Sequence, residues 1–592
     1  MLNEVTIKTD LCVVGGGLAG VCTAIAAARH GIDVVLMQER PVLGGNCSSE
    51  IRMWVSGAMG PNNRETGIVE EIMLENLYRN PTKNHYIWDS ILLDFVKREK
   101  NITLLMNTTC MEADAEQGSF PHGRTVKINS VTGYQMTTQK RIKVEADYFA
   151  DCSGDSILAP LTGAEFMFGR EANTEFGEDT YVTESDKLTM GSSCLLQGLQ
   201  TERDVKFTPS EFITKLTKDD TKNRRMNIYN PWENFWYLEL GGTENTIDDA
   251  ESTKDRLLSL ALGAWDNIKN SGEHDADKWE LNFLSFLPAK RESRRMKGEY
   301  IITQKDVSGD VIFPDTVAYG GWPLDDHYPG GYYHRGAANT NFNTPSPYCL
   351  PYRALYSANV DNLFFAGRNI SMTHTAMSSI RVMATCGLLG QAVGTAVSIA
   401  KKNSIAPHDV YLSHISELQT LLMDDDCFLP HFKRSISPLC ESTLTQGDAS
   451  LYSGEDRANR IYETEKIDFS VKNGETVEYS FDGTTDIESV HVVFDSDLDR
   501  ETLVGHAAEK YHATRGNVLL DSPQVYVPKN LCKSFRLFAV TDEGEREILS
   551  SDNNIKRAYH VPVNCGVTAL RLQILSNWGD SDRTSLISFD FR

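Results

Sequence analysis

Gly15, Gly17 and Gly20 close the run Leu11-Cys12-Val13-Val14-Gly15-Gly16-Gly17-Leu18-Ala19-Gly20, where an apolar strand enters a glycine turn and a small-residue helix, Val21 to Ala28. This is the G-x-G-x-x-G spacing of a dinucleotide-binding βαβ unit. Gly15 permits the tight turn, Gly17 lets backbone approach a pyrophosphate, and Gly20 lets helix pack on strand. Leu18 and Ala19 begin the helix, whose free N–H groups and positive dipole end suit phosphate. A second strand, Asp33 to Gln38, ends in Glu39, nineteen positions after Gly20. A carboxylate there accepts hydrogen bonds from adenosine ribose hydroxyls and repels the 2′-phosphate of NADP.

Further segments lie at intervals along the chain. Arg40-Pro41-Val42-Leu43-Gly44-Gly45-Asn46 follows Glu39 at once. Tyr148 to Asp155 is a short apolar strand ending in Gly154-Asp155, and Asn362 to Asn369 is another ending in Gly367-Arg368. A Gly-, Ala-, Thr- and Ser-rich helix is expected over Ser378 to Ala400 and includes Ser379 to Met383 and Gly390 to Gly394. With Gly44 to Met53, Glu70-Glu71, Arg291 to Tyr300 and Tyr348 to Arg353, this ordered set resembles the two-dinucleotide-binding-domain (glutathione-reductase-like) flavoproteins over about residues 8 to 400. Within them it resembles the FAD-dependent oxidoreductase branch loosely labelled xanthan lyase; a flavin fold supplies no reason for such β-elimination.

The resemblance implies FAD. It implies that the loop from Arg40 through Gly44, Gly45 and Asn46 runs beneath the flavin's phosphate and ribitol, with Cys47 beside it. Gly154 and Asp155 would close the first part of the cofactor domain, Gly367 and Arg368 would reach the ribityl-phosphate chain, and Gly390 would belong to the closing flavin helix. Many relatives carry Gly-Asp where this chain carries Gly367-Arg368, so a carboxylate contact to ribitol gives way to a cation that suits the pyrophosphate. Cys47 is open to a redox or substrate-contact role beside simple packing.

Hydride transfer from an alcohol to flavin needs a base for the hydroxyl proton, and histidine titrates near neutrality. His374 is expected in a loop between the late flavin strand and the closing helix, passing the isoalloxazine; covalent flavin attachment there is also open. His327 and His334 stand in the aromatic, glycine-rich stretch Gly320 to Arg335, with Trp322 and Arg335. An aromatic face beside polar groups suits a sugar ring, with Trp322, Arg335 and Arg52 as substrate contacts. The expected function is oxidation of a hydroxyl on a small sugar, glycoside or polyol. Reduction of an unsaturated carboxylate, with Arg291, Arg294 and Arg295 holding substrate, is the enzyme alternative; a binding or assembly protein with structural FAD is the other.

The elements that must position these residues read as α/β. A Rossmann-like FAD-binding domain (1–165) is interrupted by an inserted α+β substrate domain (166–345), then returns (346–402). A helical connector (403–440) and a jelly-roll-like β-sandwich (441–592) follow, the latter from alternating strands separated by Asp482-Gly483 and Asp542-Glu543-Gly544. Carbohydrate binding by that module is open. The 592 residues easily bury a core, and a formal charge of −24 repels nucleic acid and anionic membrane. Twelve cysteines without a C-x-x-C argue against a dithiol, zinc or iron–sulfur centre, so no metal is expected. Met1 to Thr6 lacks a basic start and an apolar h-region, so a cytoplasmic protein is expected. Homo-oligomerisation stays open, as does the electron acceptor: oxygen, a quinone, a partner protein or a nicotinamide.

Overall fold

The computed structural model describes residues 3–309, 311–457, 469–503 and 512–592. Its first sheet is built where β-branched and apolar runs alternate with small-residue helices. Ile102–Leu105, Val34–Met37, Asn3–Val14 and Lys140–Asp151 lie side by side in parallel, in that order. Leu363–Phe365 adds in parallel to the far end of Lys140–Asp151, while Val126–Gln135 and Thr108–Gln117 extend the other end antiparallel. Lys140–Asp151 is thus one continuous strand: its first half is a hairpin arm, and its last residues form the buried strand that enters Gly154-Asp155.

The helix Leu18–Arg29 is buried along its whole length from Leu18 to Ala28, which is why it is made of Ala, Gly, Cys and Thr. It packs on Met383–Asn403. A Cβ on Gly390 would stand 2.2 Å from the Ala19 carbonyl oxygen, and one on Gly394 2.3 Å from that of Thr23. Gly390 therefore sets the approach of two helices, and an added methyl would force them apart at a cost of about 1–3 kcal/mol. The expected single helix from Ser378 is instead two, His374–Ile380 and Met383–Asn403, broken where Val382 is extended. Met383–Asn403 is long and apolar enough to cross a membrane, and it is buried inside the fold.

Between the two cofactor-domain segments the chain forms the Ala250–Asn270 helix and short antiparallel pairs. Phe235, Tyr237, Trp265 and Trp279 form the core of this region. The connector is two helices, Pro407–Ser413 and Ile415–Asp424.

Among the described residues the C-terminal strands form one connected antiparallel sheet of seven strands around Thr476–Phe494 and Ala558–Asn577. Asp482-Gly483 does not end a strand: Thr476–Phe494 runs through it, with an irregular register between Ser480 and Thr485. Pairing on both sides overrides the local turn preference. Asp542-Glu543-Gly544 does form the expected hairpin, between Cys532–Thr541 and Gly544–Ser551. The loop that follows Thr476–Phe494 is fastened to the Ile68–Arg79 helix by a buried ion pair, Arg500 to Glu70 at 2.6 Å.

Candidate active site

A cavity of about 750 Å³ runs from the glycine turn to the inserted region, within the usual size of ligand clefts. At the turn, Gly15 has φ +106° and a Cβ there would lie 2.4 Å from the Cys152 carbonyl oxygen. A Cβ on Gly17 would meet no protein atom, so that space is open to a ligand. Gly20 carries the packing, since its Cβ would lie 1.8 Å from the Gly15 oxygen. The Gly44 N–H donates to Gly16 O at 2.8 Å, which holds the Arg40 to Asn46 loop against the turn. Among the described residues no side chain caps the start of the Leu18–Arg29 helix, and Gly17, Leu18 and Ala19 line the cavity there.

Midway along the wall stands Asp155. Lys290 reaches it at 2.8 Å, Arg368 at 3.0 Å and the Ser293 hydroxyl at 2.7 Å. Burial raises its pKa, but Arg368 and Lys290 outweigh that and hold the carboxyl below its usual range. Two cations around one carboxylate leave net positive charge here.

At the inner end, His327 Nδ1 lies 2.6 Å from Glu239 Oε2 and its Nε2 3.6 Å from Asp325 Oδ1. Arg291 pairs with Glu239 at 3.2 Å and Arg381 with Asp325 at 3.2 Å. Burial favours neutral acids, yet Arg291 and His327 lower the Glu239 pKa, and His327 with Arg381 lowers that of Asp325. The Trp236 ring meets His327 edge-on at 5.2 Å, and Trp322 Nε1 donates to Asp325 at 3.3 Å.

His374 differs from its expected setting. It is the first residue of its helix, 4% exposed, and is not on the cavity wall. Its Nδ1 contacts Glu292 at 2.9 Å and its Nε2 contacts Asp326 at 3.1 Å. Burial lowers its pKa, but Glu292 and Asp326 reverse this and raise it to about 10. A ring that stays protonated across neutral pH is a poor base, so His374 serves as a buried charge.

A family model described as FAD dependent oxidoreductase matches residues 10–422. The chain belongs to that family. This FAD-dependent oxidoreductase also has distant structural likenesses. A geranylgeranyl bacteriochlorophyll reductase-like protein of Thermoplasma acidophilum shares 12% identity over 72% of this chain and 85% of its own, with a TM-score of 0.30. The p-nitrophenol 4-monooxygenase of Pseudomonas putida DLL-E4 shares 13% over 74% and 92%, also at 0.30. The glycerol-3-phosphate dehydrogenase of Bacillus halodurans, complexed with FAD, shares 13% over 34% and 43%, at 0.20. No curated protein sequence matches the chain.

The residues present fit FAD. The uncapped helix start, the bare Gly17 and the Arg368–Lys290 pair suit a pyrophosphate, and Glu39 lies on the wall of the same cavity. Gly15, Gly17, Leu18, Ala19, Glu39, Arg40, Gly44, Gly45, Asn46, Gly154, Asp155, Gly367 and Arg368 all line this cavity, with Trp322 and His327. Gly20, Cys47 and Gly390 lie behind it. The Cys47 thiol donates to Gly44 O at 3.0 Å, and burial pushes its pKa up to about 12, so it is an inert packing group. Arg52 turns away to Gln197 at 2.8 Å and packs 4.0 Å over the Phe283 ring. His334 stacks on Tyr328 at 3.8 Å, and Arg335 is exposed; neither reaches the cavity. Arg381 and His512 are on the wall without having been expected there, and Glu239 stands behind it against His327.

Proposed function

We propose that the protein oxidises a hydroxyl of a small sugar, glycoside or polyol, with His327 taking the hydroxyl proton. The observation that carries this is the clamp on His327 at the inner end of the cavity that holds the glycine turn. Ionised Glu239 only accepts, so Nδ1 carries hydrogen in that contact and Nε2 is the nitrogen left for a ligand. Asp325 then stabilises the imidazolium as the proton arrives, and the Trp236 edge limits ring rotation. When bound, FAD supplies the acceptor for the hydride that leaves the carbinol carbon. Trp322 offers an apolar face, and Asn339 and Asn341 on the same wall offer hydroxyl partners.

Finer assignments belong to the same reading. We place the chain in the branch loosely labelled xanthan lyase on its Ser379 to Met383 and Gly390 to Gly394 segments. We read the C-terminal sheet as a jelly-roll-like β-sandwich. The free thiols, buried in every case but Cys565, support a cytoplasmic setting.

Arg381 favours a second reading. Among the described residues its only hydrogen-bonding partner is Asp325, and its buried Nε has none. A guanidinium so placed suits a substrate carboxylate, as reduction of an unsaturated acid would need. Electron direction separates the two. Anaerobic addition of sugars, glycosides and polyols should bleach the oxidised flavin band. A flavin untouched by all of them, yet reoxidised from its reduced form by an unsaturated carboxylate, would replace the first reading with the second.

A further inference from the structure

The family match ends at residue 422, yet the cavity wall includes His512. The segment 512–518 is wedged between the cofactor domain and the inserted region. On one side Lys83 Nζ donates to His512 O at 2.6 Å and Asn76 to Ala513 O at 2.7 Å. On the other, Val518 N donates to Gly198 O at 2.9 Å and Gln200 N to Val518 O at 2.8 Å, adding an edge to the Leu196–Gln200 strand. A Cβ on Gly516 would stand 2.3 Å from the Glu233 carbonyl oxygen, so the wedge fits only with glycine there.

The wedge delivers one ring to the cavity. His512 stacks on Trp54 at 4.7 Å and 15° between planes, and Trp54 lines the same cavity. The His512 Nδ1 has no hydrogen-bond partner among the described residues. Burial, with the nearby Lys83 and Arg64 cations, lowers its pKa to about 3, so the ring is neutral at working pH. A neutral imidazole held flat against an indole, with Nδ1 left unpartnered among the described residues, suits a hydrogen bond to an uncharged hydroxyl.

We propose that His512, delivered by the C-terminal region, contacts the substrate and sets its specificity by hydrogen bonding a hydroxyl remote from the one oxidised. This rests on the oxidation reading above. The C-terminal region is then a component of the active site rather than an appended module.

The test uses the full-length holoenzyme with His512→Ala, His512→Asn and His512→Trp. Placement is read without substrate, from the rate at which dithionite reduces the bound flavin: the Ala variant should be faster than wild type and the filled Trp variant slower. Contact is read from anaerobic bleaching by the best polyhydroxylated compound of the panel. His512→Ala should raise the half-saturating concentration about fivefold or more, well beyond any fall in the limiting rate, and His512→Asn should recover part of the loss. Unchanged dithionite rates in both variants would overturn the placement. Altered dithionite rates with an unchanged half-saturating concentration would overturn the contact. A wild-type flavin that no polyhydroxylated compound bleaches would overturn the oxidation reading itself, and this contact with it.

Discussion

Two histidine–carboxylate clusters lie side by side in this enzyme and share neighbouring residues. Arg291 and Asp325 belong to the His327 cluster, whereas Glu292 and Asp326, the next residues along, hold His374. One turns toward the cavity and the other away. His327 has one close carboxylate at 2.6 Å and a second at 3.6 Å, beyond hydrogen-bond reach. His374 has both nitrogens engaged at 3.1 Å or less by groups that only accept, which fixes it as an imidazolium. A histidine among acids is therefore a base or a structural ion according to whether one nitrogen is left for a ligand.

The comparison breaks first, and with the largest effect, at His374. His374→Ala leaves Glu292 and Asp326 without their shared cation, and should cost about 3–5 kcal/mol in denaturant unfolding. Loss of flavin reduction with unchanged stability would reverse the roles assigned to the two rings. The fixed charge also predicts a pH dependence. Its folded pKa of about 10 lies above the ordinary 6.5, so its stabilisation is complete below pH 6.5 and is lost as pH rises toward 10. The wild-type melting temperature should fall across that window, and in His374→Gln this share of the fall should be absent.

Asp325→Asn sharpens the other side. It removes the charge that supports the imidazolium form of His327, and should slow anaerobic flavin reduction about tenfold. Asp326→Asn should instead lower the melting temperature. The smallest effect is expected at His334→Ala, which gives up only the stack on Tyr328: about 1 kcal/mol or less, with no change in flavin reduction.

What was legible in the chain follows from how local each signal is. Gly15, Gly17, Gly20 and Glu39 act over one strand–turn–helix unit, so covalent spacing carries their geometry. Gly390 was legible as a helix residue but not as a helix–helix contact, because Ala19 lies far away in sequence. His374 could not be read from its neighbours: Glu292 and Asp326, which fix its charge, are 82 and 48 residues away. Glu239 sits in the inserted region and Arg381 in a stretch that reads as helix, and only tertiary contact joins them to His327. His512 was least legible, since it enters from beyond the family-matched segment. At Asp482-Gly483 a correct local preference lost to strand pairing on either side.

The most direct test is the rate of anaerobic flavin reduction in His327→Gln against wild type, at saturating polyhydroxylated substrate and matched FAD content. The account predicts a fall of about 10²–10⁴-fold, the contribution of a positioned base, with the oxidised flavin spectrum unchanged. Equal rates in the two proteins would contradict it.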